Sequence, residues 1–214
     1  MKKPRFNRGV AAGLTLFEAI AAVAIIGLAA AVAVPAIEGH ASISDARTTA
    51  DIFRSLGYSL GNHNVALGNL GFINAITAGT QKYPARLSQL VIQIRSGGAT
   101  GDHKCGGSNY SGGSASSDSG LWAANAPFST LLITKNVGVT TPIGTIDDTI
   151  VKGAGNTAGL VELRMDSVQT VDAENLDMVI DGSLDSTSGQ LRYVAGSVAG
   201  THLIMYVLPG SVGC

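Results

Sequence analysis

The strongest pattern in the chain is at its N-terminal end, where only Thr15 and Glu18 are polar among the 24 residues from Leu14 to Ile37. Such a run reads as one helix, about 36 Å long at 1.5 Å rise per residue, longer than the roughly 30 Å core of a bilayer. The period then changes. Ala46, Ala50, Phe53, Leu56 and Leu60 recur at spacings of four, three, three and four, with Asp45, Arg47, Asp51 and Arg54 on the other faces. That is the pattern of a helix with one buried face. A single long helix is therefore expected over 14–66, membrane-spanning over 14–37 and amphipathic beyond. Gly57, Gly61 and Gly68 erode its end. Pro35 removes one hydrogen bond inside it, and because the helical pattern resumes, a kink is expected there rather than a stop.

Downstream the pattern is weaker. Proline suits the first turn of a helix, so a short helix is expected from Pro84, with Leu87, Leu90 and Val91 as its core stripe. Residues 96–120 are rich in Gly and Ser without periodicity and read as a surface loop. The segment from Leu160 to Asp166 alternates apolar and polar residues, and Leu176 to Ile180, Gln190 to Ala195 and His202 to Leu208 are further short strand candidates between turn residues. These predict an antiparallel sheet that buries the second half of the long helix, an α+β fold. The expected organisation is a leader over 1–13, the helix over 14–66 and a globular head over 67–214.

Composition sharpens this picture in one respect. The whole chain carries a net charge of −1, but Lys2, Lys3, Arg5 and Arg8 precede Gly13 without any acid. The remaining 10 basic and 15 acidic residues leave −5 on the rest. A mildly acidic body behind a basic leader fits export and argues against a nucleic-acid binder. Cys105 and Cys214 allow one intramolecular disulfide, as an even count in an exported chain favours. It would close a loop of about a hundred residues, credited with roughly 4–5 kcal/mol in the chain-entropy model. A metal site using His103 and Cys105 is the competing reading, and it lacks a second close ligand pair.

The chemistry of the N-terminal run centres on Glu18. A carboxylate inside a bilayer costs a few kcal/mol unless something pairs with it. Cleavage after Gly13 would create a positive α-amino group on Leu14, and a neighbouring molecule shifted along the helix axis could bring that amine onto Glu18. Glu18 then selects for assembly. A Sec-type signal peptide is the alternative, since Ala31-Val32-Ala33 fits the small-residue cleavage pattern. The apolar run is, however, longer than the usual 7–15 residues, roughly, of such a segment.

A short basic leader ending in Gly13, then Leu14-Thr15-Leu16-Phe17-Glu18, the apolar helix and Pro35 resemble the type IV pilins and the pseudopilins of type II secretion systems. The resemblance covers about the first 35 residues. It implies cleavage after Gly13 and N-methylation of Leu14 by a prepilin peptidase, an assembly role for Glu18, and a helix kink at Pro35. It further implies a pilin-like fold, a long helix on a small antiparallel sheet. The implied partners are further copies of the chain, other pilins or pseudopilins, and an inner-membrane assembly platform. The implied location is the bacterial inner membrane before assembly and a periplasmic or extracellular filament afterwards. Leu14 departs from the phenylalanine or methionine commoner at that place. A disulfide is usual in pilins and favours a surface pilus, whereas the short strand-rich C-terminal region favours a pseudopilin.

Other motifs weigh less. Gly57-Tyr58-Ser59-Leu60-Gly61 matches the G-x-S-x-G of a hydrolase, but that motif needs a strand-turn-helix context and here lies in a helical pattern. The segment Asp181 to Thr187 places oxygen donors at alternate positions like the start of a calcium loop, with Asp181 and Asp185 as donors. Ser186 and Arg192 stand where an EF-hand needs Gly and Glu. A hairpin turn is the favoured reading, and no cofactor is expected beyond that weak calcium candidate. His40, His63, His103 and His202 form no ligand spacing, Trp122 has no aromatic partner beside it, and Gly153-Ala154-Gly155 lacks the third glycine of a dinucleotide fingerprint. The leading expectation is a non-enzymatic filament subunit. Its rivals are a type II secretion pseudopilin and, from another class, a secreted binding protein or enzyme released near Ala33.

Overall fold

The computed structural model describes residues 16–68, 84, 86–92 and 126–208, with the side chains of 32–41, 64–68 and 156 outside that description. The chain divides into two units, Met1–Ala41 and Ser42–Cys214, and helix α1 (Leu16–Gly68) contributes to both.

In the first unit α1 is apolar and exposed. Leu16, Phe17, Ile20, Val23, Ile25, Ile26 and Leu28 keep between 59% and 81% of their surface in solvent. The membrane-spanning helix expected over 14–37 is not found, because among the described residues no helix is long and apolar enough to cross a membrane. The described side chains of the apolar run extend from Leu16 to Ala31 and include Glu18. Sixteen residues rise about 24 Å, short of the roughly 20 residues a bilayer core requires. The fold class is corrected accordingly to α+β with no membrane-spanning helix among the described residues, and the pilin-like form expected of the whole chain is set aside with it. The backbone of α1 continues through Pro35 without ending there.

In the second unit the remaining part of α1 buries one face. Ala46, Ala50, Phe53, Leu56 and Leu60 are all fully buried, while Arg47, Asp51 and Arg54 stay exposed. The core they join is built on a four-stranded antiparallel sheet of order β3-β4-β6-β5: β3 (Val151–Lys152), β4 (Val161–Gln169), β5 (Leu191–Ala195) and β6 (Thr201–Val207). The register pairs Leu163 with Tyr206 and Leu191 with Tyr206. Alternation then puts Val161, Leu163, Met165, Ile204, Tyr206 and Leu191 on the core face. Phe53 stacks on Tyr206 with ring centroids 4.8 Å apart, which ties helix to sheet at the middle of the core. A smaller antiparallel pair, β1 (Val139–Thr141) and β2 (Gly144–Ile146), packs beside β4, where a side chain at Gly144 would meet Met165 Sδ at 2.8 Å. A bulge interrupts β4 between Met165 and Val168, with Ser167 at φ 62.

Three local expectations are corrected. Leu176 to Ile180, read as a strand, belongs to helix α2 (Thr170–Asp181). Its buried Ala173, Leu176 and Asp177 recur at helical spacing, Asp172 sits in the first turn where the helix dipole favours an acid, and Gly182 closes it in the left-handed region at φ 75, donating its N–H to Met178 O. The Asp181-to-Asp185 segment therefore joins a helix to a strand and is not a hairpin turn between two strands. The helix expected from Pro84 contracts to one 3-10 turn, Leu87–Leu90, held at its start by Arg86 N–H donating to Gln89 Oε1 at 3.0 Å.

Candidate functional site

The residues of the N-terminal motif fall at the edge of the described structure. Gly13 and Leu14, the expected cleavage and methylation positions, lie outside the described residues. Glu18 lies in the first turn of α1, where a carboxylate complements the helix dipole, and its side chain is exposed beside Leu16, Phe17 and Ile20. Pro35 is on the α1 backbone, with its side chain outside the description. Cys105 and Cys214, the expected disulfide partners, both lie outside the described residues, as do His103, Trp122 and the loop over 96–120.

The remaining sequence candidates are placed. Ser59 is 6% exposed inside α1, so the G-x-S-x-G segment has no strand-turn-helix elbow around it. His63 is buried edge-on against Phe128 with centroids 4.9 Å apart, and burial drives its pKa down to about 3, leaving a neutral packed imidazole. His202 shares a contact with Thr170 Oγ1 at 3.2 Å and meets Tyr193 edge-on at 5.2 Å. Asp181 accepts the Gln190 and Leu191 amides at 3.0 and 2.8 Å. Asp185 accepts the Thr187 amide and hydroxyl at 2.9 and 2.7 Å, together with the Ser188 hydroxyl. These donors hold the Asp185 carboxyl well below the usual carboxylate range. Both aspartates thus serve as acceptors that shape the turn from α2 to β5. Among the described residues no group of three or more His, Cys, Asp or Glu side chains is placed to hold a metal ion.

One heavily used polar group in the second unit is one that sequence reasoning missed. Asp148 is 3% exposed between β2 and β3. Its Oδ1 accepts the Ser88 amide at 2.7 Å, and its Oδ2 accepts the Ser88 hydroxyl at 3.0 Å and the Asn136 amide at 2.8 Å. Arg86 Nη1 lies 3.6 Å from the same Oδ2, and the Asp148 carbonyl accepts Leu87 N–H at 2.7 Å. One carboxylate thereby joins three segments distant in sequence, a structural role with no local signature. A second buried acid, Glu162 on β4, pairs with Arg164 at 2.6 Å on the sheet face opposite the core. Comparison with protein-family models, with curated proteins and with solved structures finds no match to this chain.

Proposed function

We propose that the chain is a structural subunit of a type IV pilus-like filament, cut after Gly13 by a prepilin peptidase, methylated on Leu14 and polymerised through its N-terminal helix. Its chemistry is assembly rather than catalysis. One observation carries the reading: seven large apolar side chains, from Leu16 to Leu28, stand exposed on the part of α1 that belongs to the first unit. At roughly 100° per residue these positions surround the helix on every side. A helix apolar all round needs cover all round, which a bundle of copies supplies and a single groove does not. Burying seven such side chains at about 1.5–3 kcal/mol each gives on the order of 10–20 kcal/mol gross, comparable with or above the roughly 4–15 kcal/mol that association costs.

Glu18 sets the register of that bundle. Buried among apolar helices, its carboxylate is tolerable only beside a positive group, and the amine of Leu14 on a neighbouring copy provides one. Before assembly the subunit resides at the bacterial inner membrane with the assembly platform, and afterwards it lies in a periplasmic or extracellular filament with other pilins or pseudopilins. The test is polymer formation by the full chain expressed with a prepilin peptidase and an assembly platform. The wild type should be recovered as sedimentable filaments, and Ile26→Lys and Glu18→Ala should be made at equal level, keep the same circular dichroism and fail to sediment. Normal filament yield from Ile26→Lys would sink the proposal, and normal yield from Glu18→Ala would remove the role given to the carboxylate.

A further inference from the structure

Three carboxylates hold the connection from α2 to β5. Asp177, Asp181 and Asp185 follow one another at intervals of four residues. The first accepts the Asp185 amide on Oδ2 at 2.8 Å, the second fixes the Gln190 and Leu191 amides, and the third fixes Thr187 and Ser188. Asp177 has no exposed surface, and its Oδ1 has no hydrogen-bond partner. It is also near the C-terminal end of α2, where the helix dipole disfavours negative charge and the last turn carries no basic residue.

The groups around it do not neutralise it. Asp181 on α2 and Asp185 on the turn are like charges, and from β5 comes Tyr193, whose phenol is pushed up by burial and then by the Asp177, Glu174 and Asp185 carboxylates. His202 of β6 meets Tyr193 edge-on. Arg54 of α1 pairs with Asp51 and donates to Val179 O, and Arg192 of β5 donates to Gly189 O. β4 turns Leu163 and Met165 to the core, with Glu162 and Arg164 on its other face. Burial pushes the Asp177 carboxyl above its ordinary range, the Asp185 amide pulls it back, and Asp181 and Asp185 add to the rise. The turn has a further role: Ser186 O accepts the Tyr193 amide at 3.1 Å, so the turn covers the outer edge of β5, the last strand of the sheet.

We propose that Asp177 is a proton-operated latch for this turn: ionised, it strains the turn that covers it, and protonated, it lets the turn close over it and over the edge of β5. A carboxyl whose closed-state pKa lies above its open-state value binds its proton more tightly when closed. Closure is therefore favoured at low pH and lost as pH rises through the raised value. An uncovered strand edge is a place where a further strand can pair, so the latch controls access to β5.

Amide hydrogen exchange of the full chain, corrected for intrinsic rates, reads the latch directly. Linkage raises the closed-to-open ratio as pH falls through the raised value, so protection at Asp185 and Tyr193 should increase on acidification from neutral pH toward the ordinary carboxylate range. In Asp177→Asn the protection should be high and flat across the same pH interval. Carboxyl carbon-13 titration of Asp177 in the wild type gives the same answer without any variant, and a midpoint above the ordinary carboxylate range is expected. Titration within that range, flat wild-type protection, or an unchanged slope in Asp177→Asn would overturn the proposal. So would closure produced at pH 7.5 by calcium ions alone, which would make a cation, not a proton, the missing positive charge.

Discussion

Removing the Asp148 carboxylate is expected to be the most damaging single polar substitution in the second unit. The group is 3% exposed and receives the Ser88 amide, the Ser88 hydroxyl and the Asn136 amide at 2.7, 3.0 and 2.8 Å, with Arg86 at 3.6 Å. In Asp148→Ala these donors lose their acceptor in a place that water reaches poorly. Each hydrogen bond to a charged group contributes about 1.5–3 kcal/mol, but the three share one carboxylate and are not additive. The Arg86 contact adds little, since its side chain is 30% exposed. The expected loss is about 3–5 kcal/mol, the size seen when one member of a buried charge network is deleted. For a chain of this length that lowers the midpoint of thermal unfolding by roughly 6–20 °C. Asp148→Asn keeps one acceptor oxygen and should lose roughly half as much, while Arg86→Met should lose under about 1 kcal/mol. The measurement is urea unfolding of the full chain, comparing midpoints at constant slope. An Asp148→Ala loss below about 1 kcal/mol would refute the reasoning, because it would mean the donors find water or another acceptor as readily.

Three further outcomes follow from the same structure. Phe53→Ala deletes the ring stacked on Tyr206 in the core and should cost about 3–5 kcal/mol in the same unfolding assay; a loss under about 1.5 kcal/mol would argue against that packing. Gly138 sits at φ 107, and a Cβ there would fall 1.8 Å from the Ile146 carbonyl oxygen, so Gly138→Ala should destabilise by more than the roughly 1 kcal/mol of an ordinary glycine substitution. His63, with its folded-state pKa lowered to about 3, must gain a proton on unfolding below the ordinary histidine value. Its stabilisation is present above about pH 6.5 and falls toward pH 3 by up to about 1.4 kcal/mol per unit. Stability measured between those limits should lose that slope in His63→Leu, and an unchanged slope would place the titration elsewhere.

How much of this was legible in the sequence depended on the length of each pattern. The buried face from Ala46 to Leu60 repeats over four turns and needs no partner to be seen, and β4, β5 and β6 announce themselves by alternation between turn residues. α2 was misread because Leu176-Asp177-Met178-Val179-Ile180 taken alone is a β-prone apolar run. The helical signal lay in the wider window, with Asp172 at its start, Ala173 and Leu176 three apart, and Gly182 immediately after Asp181. β1 and β2 are three residues each, too short for alternation to register. Asp148 was invisible for a different reason: its partner Ser88 lies 60 residues away, and nothing local marks a carboxylate that will be buried by distant segments. The apolar run from Leu14 reads as a membrane span on length, whereas its described side chains end at Ala31 and include Glu18. The chemistry of the Gly13–Glu18 motif rests on sequence, with the structure adding the exposed helix that begins at Leu16.

The bond between Gly13 and Leu14 is where filament assembly by this chain would begin. Intact-mass and N-terminal peptide analysis of the chain recovered from its producing cell should find a mature protein that begins with N-methylated Leu14. A chain that begins at Val34, or one that retains Met1 through Gly13 in assembled material, would contradict assembly by this route.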